Sequence, residues 1–126
     1  MTQSDKDLLL KDLCARLSHG VKGLVTFNGQ PSTPKIQEDR TIDGKLYDRF
    51  AKFQDSWYDN VTIKPYLFPL DKIRGDMWSE YLATCVGGNA SFPTLKSFEW
   101  CNEHHIDYRG LIPMDLANDV TGLNIY

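Results

Sequence analysis

Apolar residues recur at helical spacing near the start of the chain. This spacing predicts a helix over residues 5–17, with Ser4 as its N-cap and Gly20 as its terminator. Asp12 and Arg16 form an i,i+4 pair in the favourable order. We expect the helix to cover one side of a core through an apolar stripe that consists of Leu9, Leu10, Leu13, Cys14 and Leu17.

The next stretch alternates apolar and polar residues, which is typical of strands. Residues 21–27 predict a first strand, and residues 61–70 predict a later extended segment. Pro65 and Pro69 would confine that segment to a sheet edge or to strand ends, because proline cannot donate a ladder hydrogen bond.

Asp43-Gly44 is a strong turn signal between two runs that contain apolar residues. We therefore expect residues 40–42 and 45–53 to pair as a hairpin around it. Such short strands, separated by turns rather than by helices, favour an antiparallel sheet.

Two helices are predicted in the second half, over residues 76–85 and 95–105. The face of the second helix that we expect to pack inward consists of Leu95, Phe98, Cys101 and His105.

The order of these elements predicts a single α+β domain over residues 1–126. It would contain the N-terminal helix, a small antiparallel sheet and the C-terminal helices. The sheet could be a small barrel of the SH3-like kind or a bent sheet. The pattern leaves open the conformations of residues 28–42 and 106–126.

The composition of the chain restricts the class of protein and the kinds of partner that we expect. The chain has 41% hydrophobic and 25% charged residues and a net charge of -3, with no basic run. We therefore expect no nucleic-acid partner, because such binding rests on clustered cations. The cysteines Cys14, Cys85 and Cys101 are odd in number and widely spaced, and no apolar stretch suits a signal peptide or a membrane span. These features predict a reduced cytoplasmic protein without a membrane partner.

Three segments resemble a family of uncharacterised small proteins from gut Bacteroidales and their prophages. The resemblance is carried by residues 8–22 and 97–114 and, more loosely, by residues 61–69. Ser18 and Asp115 depart from the family's pattern, in which Pro and Gly are common at those positions. The resemblance implies an accessory gene on mobile elements, and it implies no reaction, ligand, cofactor or catalytic residue.

A C-x-x-H-H cluster made of Cys101, His104 and His105 contains the residue types that bind zinc. A fourth ligand would have to come from His19 or Cys14. The alternative is a core cysteine beside histidines that suit a helix C-terminus. We favour this alternative and predict three free thiols, no stoichiometric zinc and no cofactor.

The sequence contains no readable catalytic motif. Cys101 and His105 lie one helical turn apart, as a thiol nucleophile and its base could, but a structural thiol is the simpler interpretation. Gly87-Gly88 lacks the lysine and the spacing of a phosphate-binding loop.

A band of aromatic residues interleaves with basic residues between positions 45 and 68. Such a band could stack single-stranded nucleic acid, or its rings could fill the core of the domain, which we favour because nearby aspartates dilute the charge. The aromatic residues are Tyr47, Phe50, Phe53, Trp57, Tyr58, Tyr66 and Phe68.

Residues of the types that dominate interface hot spots crowd into the C-terminal third: Trp100, His104, Tyr108 and Arg109. They are the candidate binding residues, for an unknown protein partner or for a second copy of the chain. In the alternative, residues 112–126 fold back over Trp100 and make it part of the core.

Three classes of function follow. The first is a protein-interaction module encoded on a mobile element, which a flat exposed apolar patch would favour. The second is a protein that binds or sequesters a small ligand such as a nucleotide signal, which a deep pocket lined by Arg or Lys would favour. The third is an enzyme of unrecognised type, which clustered polar side chains with shifted pKa values would favour.

Overall fold

The computed structural model describes residues 2–28, 35–52 and 60–126 and shows the predicted α+β class. An N-terminal helix precedes a small sheet, and helices and short strands complete the chain. The helices are α1 (Gln3–Arg16), α2 (Gly44–Ala51), α3 (Gly75–Ala83) and α4 (Leu95–Glu103), and the strands are β1 (Lys22–Asn28), β2 (Ile36–Thr41), β3 (Asn60–Pro69), β4 (Ile106–Asp107) and β5 (Asn118–Asp119). None of the helices in these ranges has the length and apolar character needed to cross a bilayer.

The sheet is mixed. β1 pairs antiparallel with β2 and with β3, as the turn-rich sequence predicted. The two-residue strands β4 and β5 then pair parallel with the last part of β3. They come from the C-terminal segment, whose short turns gave no strand signal, so the parallel pairings had no counterpart in the sequence analysis.

Pro69 is the last residue of β3, as predicted, whereas Pro65 lies within that strand, where its pairing with β1 ends and before its parallel pairings begin at Tyr66. β3 lies between β1 and β4, and Pro65 is opposite Gly23 of β1. A Cβ on Gly23 would lie 2.9 Å from the Lys64 carbonyl oxygen and 3.0 Å from the Pro65 Cα. The missing side chain of Gly23 therefore permits a close approach of the two backbones at the proline.

The hairpin predicted around Asp43-Gly44 is wrong in its second half, because α2 begins at Gly44. The Asp43 carboxylate accepts a hydrogen bond from the Leu46 amide at 2.8 Å and so acts as an N-cap. Leu46 and Phe50, one helical turn apart, are both buried. The Asp-Gly pair was thus a helix-start signal rather than a turn between strands.

The first helix begins two residues earlier than predicted. Thr2 is the N-cap and forms a capping box with Asp5, so Ser4 lies inside the helix. Gly20 adopts the left-handed conformation after the helix and a short 3₁₀ turn, as expected of a terminator. Leu9 and Leu13 are fully buried, whereas Cys14 is exposed.

The end of the chain's last helix also differs from the prediction. α4 ends at Glu103, and His105 has a φ of 59°, so the backbone reverses there. Ser97 and Cys101 are fully buried, whereas Leu95 is 80% exposed. The predicted inward face was wrong at Leu95 and at Phe98, which are both exposed, because the helix buries the hydrogen-bonded Ser97 instead.

Buried side chains form two separate hydrophobic clusters. The main core joins α1, α2, β1 and β3 with residues after Gly110, and the second core lies between α3, α4 and β4. The main core consists of Leu9, Leu13, Val21, Val25, Ile42, Leu46, Phe50, Val61, Ile63, Leu67, Leu111, Leu116 and Ala117, and the second of Ile73, Tyr81, Cys85, Cys101 and Ile106.

A fully buried ion pair connects α1 to the second core. Arg16 donates to both carboxylate oxygens of Asp12, at 2.9 and 3.1 Å. The same guanidinium donates to the carbonyl oxygens of Cys101 and Ile106, at 3.2 and 2.6 Å. The i,i+4 pair seen in the sequence is therefore a tertiary contact between the two ends of the chain.

We predict that Leu13→Ala lowers the free energy of unfolding by about 2–5 kcal/mol, because it leaves a cavity in the main core. Leu123→Ala is the matched control, since Leu123 is 58% exposed, and its effect should stay within about 0.5 kcal/mol. Urea unfolding followed by far-UV circular dichroism measures both. A loss below about 0.5 kcal/mol for Leu13→Ala would show that the stripe does not pack as described.

Candidate functional site

Exposed apolar side chains are concentrated on the α3–α4 hairpin. In the described part of the chain, nine large hydrophobic residues are exposed, and five of them lie between Met77 and Phe98. Four of these five lie either in the turn between the two helices or on the exposed side of α4. We call this surface the α3–α4 patch, and it consists of Val86, Phe92, Leu95 and Phe98.

The residues of the patch are neighbours in space. The Val86 amide donates to the Phe92 carbonyl oxygen at 3.0 Å, which closes the turn between the helices. Leu95 borders an open hollow of about 580 Å³ together with Ala83 at the end of α3. Phe98 follows Leu95 by three residues on α4, so the two side chains lie on one side of that helix.

A partly buried polar cluster, with Ser97 fully buried, joins the two helices of the hairpin. The Thr94 hydroxyl donates to the Thr84 carbonyl oxygen at 2.7 Å, and the Ser97 hydroxyl donates to the same oxygen at 3.1 Å. The Ser97 Oγ accepts from the Thr84 hydroxyl at 2.8 Å and from the Thr94 amide at 2.9 Å. These bonds join the end of α3 to the start of α4, so the patch is presented on a rigid support.

A second concave feature lies next to the patch. It is an open groove of about 630 Å³, and Tyr108 on its border contacts Phe98 of the patch, with 5.0 Å between ring centroids. The patch and the groove are therefore continuous. The groove is lined by Pro69, Leu70, Asp71, Lys72, Trp78, Asp107, Tyr108, Gly110, Ile112, Pro113 and Asp119.

Carboxylates outnumber cations in the groove by three to one. Asp107 is buried and accepts hydrogen bonds from the amides of Leu111 and Ile112, at 3.0 and 2.9 Å. Lys72 donates to Asp119 at 2.8 Å, and this contact holds the pKa of the Asp119 carboxyl at about 2. The groove therefore carries net negative charge at neutral pH.

The candidate binding residues lie in two pairs near this surface. Trp100 is half-buried, with its ring centroid 5.7 Å from Tyr81 and 4.4 Å from His104. Arg109 is 21% exposed and donates to the buried Asp12 at 3.2 Å and to the Tyr108 hydroxyl at 2.9 Å. A binding role for these four residues stays a prediction, and the intramolecular contacts of Arg109 give it an architectural role as well.

The alternative, in which residues 112–126 cover Trp100, stays a prediction. Trp100 packs against the second core, beside the rings of Tyr81 and His104. Leu116 and Ala117 pack in the main core. Tyr126 lies against Phe68 and His105.

The periodicity of the sequence did not predict that Phe92, Leu95 and Phe98 of the α3–α4 patch are exposed. One signal for Leu95 was present, because Thr94 followed by Ser97 has the spacing of a helix cap and places Leu95 at the first helical position. The polar cluster beside Leu95 depends on contacts with α3, which sequence periodicity does not report.

The C-x-x-H-H residues do not assemble a metal site in the part of the chain that the structure describes. There, no group of three or more His, Cys, Asp or Glu side chains comes together. All three cysteines are free, and Cys14 is exposed. Burial raises the pKa of the Cys101 thiol to about 12, so it stays protonated at neutral pH and is not an activated nucleophile.

His105 is buried in a stack with Tyr126. The two ring centroids are 3.7 Å apart and the rings are nearly parallel at 9°. The Tyr126 hydroxyl accepts from the Lys22 amide at 2.8 Å and donates to the Tyr66 carbonyl oxygen at 2.8 Å. Burial, followed by the nearby Arg16 guanidinium, lowers the pKa of His105 to about 4. Smaller electrostatic effects of His19, His104 and Lys22 act in the same direction.

The members of the aromatic band that the structure describes contribute to the core. Phe50 and Tyr66 are buried, and Tyr47 and Phe68 are partly buried. The Tyr66 hydroxyl donates to the Asp39 carboxylate. These contacts favour the core interpretation over a stacking platform. The remaining members of the band, Phe53, Trp57 and Tyr58, lie outside the described residues.

Comparisons with known proteins give no relative. No protein-family model matches the sequence, and no curated protein or solved structure matches it significantly. The resemblance to proteins of gut Bacteroidales therefore stays a prediction, and the functional argument rests on the surface itself.

We predict that the protein loses stability as the pH falls from about 6.5 to about 4, because the unfolded state binds a proton on His105 that the folded state does not. The contribution of His105 to the free energy of unfolding is complete above pH 6.5. By pH 4 this contribution has fallen by about 2–3 kcal/mol. Urea unfolding at a series of pH values measures it.

His105→Asn is the informative variant, since asparagine tolerates the left-handed backbone at this position. Its stability should depend less on pH in this window than that of the wild type. His19→Asn, at an exposed histidine, should keep the wild-type dependence. Equal pH dependence in all three proteins would contradict the assignment to His105.

Proposed function

We propose that this chain is a protein-interaction module that binds its partner through the α3–α4 patch. The observation that carries the proposal is the concentration of exposed apolar side chains on one hairpin, with Leu95 80% and Phe92 58% exposed. Contiguous exposed apolar surface of this kind marks interaction sites. The polar cluster that joins the two helices supports the proposal, because a pre-organised surface loses little entropy on binding.

The charges on the hairpin define the partner. Four carboxylates on α3 and α4 are exposed, whereas Lys96 is the one lysine or arginine within these two helices. A partner with complementary chemistry presents an apolar face flanked by lysine or arginine. The exposed carboxylates are Asp76, Glu80, Glu99 and Glu103.

A nucleotide signal is a poorer match to the hollows that the structure describes. The hollow of about 320 Å³ near β1 and β2 contains Lys22 and Arg40, but Asp39 lies beside them. The Lys22 Nζ already donates to the Ile125 carbonyl oxygen at 2.9 Å. The groove beside the patch is acidic and would repel a phosphate.

The setting of this function follows from the sequence. The resemblance to small proteins of gut Bacteroidales and their prophages supports a gene on a mobile element, and the widely spaced cysteines support action in the cytoplasm. The partner would then be a host protein or another protein of the same element.

We predict that Leu95→Glu weakens partner binding about tenfold or more, because it places a charge in the centre of the apolar patch. The partner is first captured from an extract of the natural source and then purified. Isothermal titration calorimetry with the purified partner measures the affinity. The variant should fold normally, with an unfolding midpoint close to the wild type, since Leu95 makes few contacts.

Leu123→Glu is the matched control, because Leu123 is 58% exposed and lies outside the patch. It should bind the partner like the wild type. The proposal is wrong if Leu95→Glu binds with unchanged affinity, or if both variants lose binding equally. If sedimentation shows that the wild type is a dimer and that only Leu95→Glu makes it monomeric, the partner is a second copy of the chain.

A further inference from the structure

Tyr126 lies in a site between the start of β1 and the last part of β3. We call it the tyrosine site, and it consists of Lys22, Tyr66, Phe68 and His105. We propose that this site binds a tyrosine side chain and that Tyr126 occupies it until a tyrosine on an extended segment of a partner takes its place. The inference does not depend on the α3–α4 patch, because no residue of the site belongs to that patch.

Backbone groups recognise the hydroxyl end of the bound ring. The pairing of β1 with β3 ends at Gly23 and Pro65. The next residues across from each other are Lys22 and Tyr66, and the hydroxyl of Tyr126 bridges them. It accepts from the Lys22 amide at 2.8 Å and donates to the Tyr66 carbonyl oxygen at 2.8 Å, with the Lys22 carbonyl oxygen at 3.3 Å as a second acceptor. The occupant must therefore accept and donate at one atom, as a phenol does.

Aromatic groups recognise the ring itself. The Tyr126 ring is stacked on the His105 imidazole, with 3.7 Å between centroids and 9° between planes. Phe68 lies 6.0 Å away at an angle of 54°, and the Lys22 Nζ lies 5.8 Å from the ring centre. Stacked and tilted aromatic pairs and cation–π contacts add to the stabilisation from buried area. An aliphatic side chain would make none of these contacts.

A buried polar atom in the site has no partner. His105 is 8% exposed, and its Nδ1 atom makes no hydrogen bond to any residue that the structure describes. A buried nitrogen without a hydrogen bond is unfavourable, and most such groups in proteins are paired. Tyr126 stacks on this imidazole without bonding the nitrogen. The occupant from the same chain therefore leaves one polar group of the site unsatisfied.

The segment that carries Tyr126 has few contacts of its own, and we call residues 121–126 the latch. Residues 121–124 are exposed. The Val120 amide donates to the Leu67 carbonyl oxygen at 3.1 Å, so the chain is anchored to the sheet immediately before the latch. Release of the latch therefore leaves the paired strands in place.

The far end of the latch is also accessible. The Lys22 Nζ donates to the Ile125 carbonyl oxygen at 2.9 Å. An open hollow of about 320 Å³ borders the latch at Asn124 and Ile125, and Lys22 lines the same hollow. Tyr126 is 40% exposed, so the site holds its ring without closing over it. An incoming segment thus has room beside the latch.

The test uses the full chain with Tyr126→Ala, which empties the site, and the N-acetyl methylamides of tyrosine, phenylalanine and phosphotyrosine. Nuclear magnetic resonance titrations follow the Lys22 amide and the His105 imidazole. We expect the tyrosine probe to bind about fivefold or more tightly than the phenylalanine probe, because only tyrosine makes the hydroxyl bonds. The phosphotyrosine probe should bind more weakly than tyrosine, because its ester oxygen has no proton for the Tyr66 carbonyl.

The wild type and a second variant measure competition by the latch. The wild type should bind the tyrosine probe about tenfold or more weakly than Tyr126→Ala, because its own tyrosine fills the site. Tyr126→Phe keeps the ring and loses the hydroxyl bonds, so its affinity should fall between the two. This variant decides the comparison with the wild type if Tyr126→Ala does not fold. Leu123→Ala, at an exposed position on the latch, should bind like the wild type.

Equal affinity of Tyr126→Ala for the tyrosine and phenylalanine probes would overturn the proposal. So would equal affinity of the wild type and both Tyr126 variants for the tyrosine probe, tighter binding of phosphotyrosine, or no shift with any probe. Tyr126 would then be a structural contact of the fold. None of these outcomes affects the α3–α4 patch, which Leu95→Glu tests separately.

Discussion

The buried pair of Asp12 and Arg16 is the contact on which the arrangement of this fold depends. Removing two charges from water costs several kcal/mol per ion unless the partners satisfy them. Here Arg16 donates four hydrogen bonds, two to Asp12 and two to backbone carbonyls at the end of α4 and the start of β4. One of these carbonyls, that of Cys101, lies in the last turn of α4, where a helix leaves its C=O groups without partners and favours a cation. The N-terminal helix therefore fixes the C-terminal helix that carries the candidate site.

The α3–α4 hairpin likewise has hydrogen-bonded polar groups on its inner side, and it has apolar side chains on its outer side. Thr84, Thr94 and Ser97 use their hydroxyls to bond one another and the backbone, so a polar cluster occupies the inner side of the turn. The apolar residues Phe92 and Leu95 are left outside. Their exposure would be unfavourable for solubility unless a partner covers them, which is the reason the patch is the best-supported docking surface.

The sequence predicted those elements whose signals are local. The predictions that Leu9 and Leu13 are buried and that Gly20 terminates the helix were correct. Periodicity and capping act within one helix, so a local sequence signal is enough to reveal them. Elements that depend on distant partners were wrong or missing. Pro65 lies within β3 opposite Gly23, and on α4 Ser97 bonds to Thr84 while Leu95 lies outside. For a binding role, the sequence offered only residue types in the C-terminal third, such as Trp100 and Arg109, and that role stays a prediction. Their partners inside the chain, Tyr81 and Asp12, are distant in sequence.

The most direct test of this account is a double-mutant cycle at the buried pair, with Asp12→Leu, Arg16→Met and the double variant measured by urea unfolding. Asp12→Leu leaves Arg16 without its carboxylate, and Arg16→Met leaves Asp12 with Arg109 as its remaining cation at 3.2 Å. Each single variant should lower the free energy of unfolding, by about 3–5 kcal/mol for Asp12→Leu and by less for Arg16→Met. The double variant leaves neither charge, so its loss should be well below the sum of the two single losses. If the two effects simply add, Asp12 and Arg16 do not act as a pair, and the claim that they fix the two ends of the chain together is wrong.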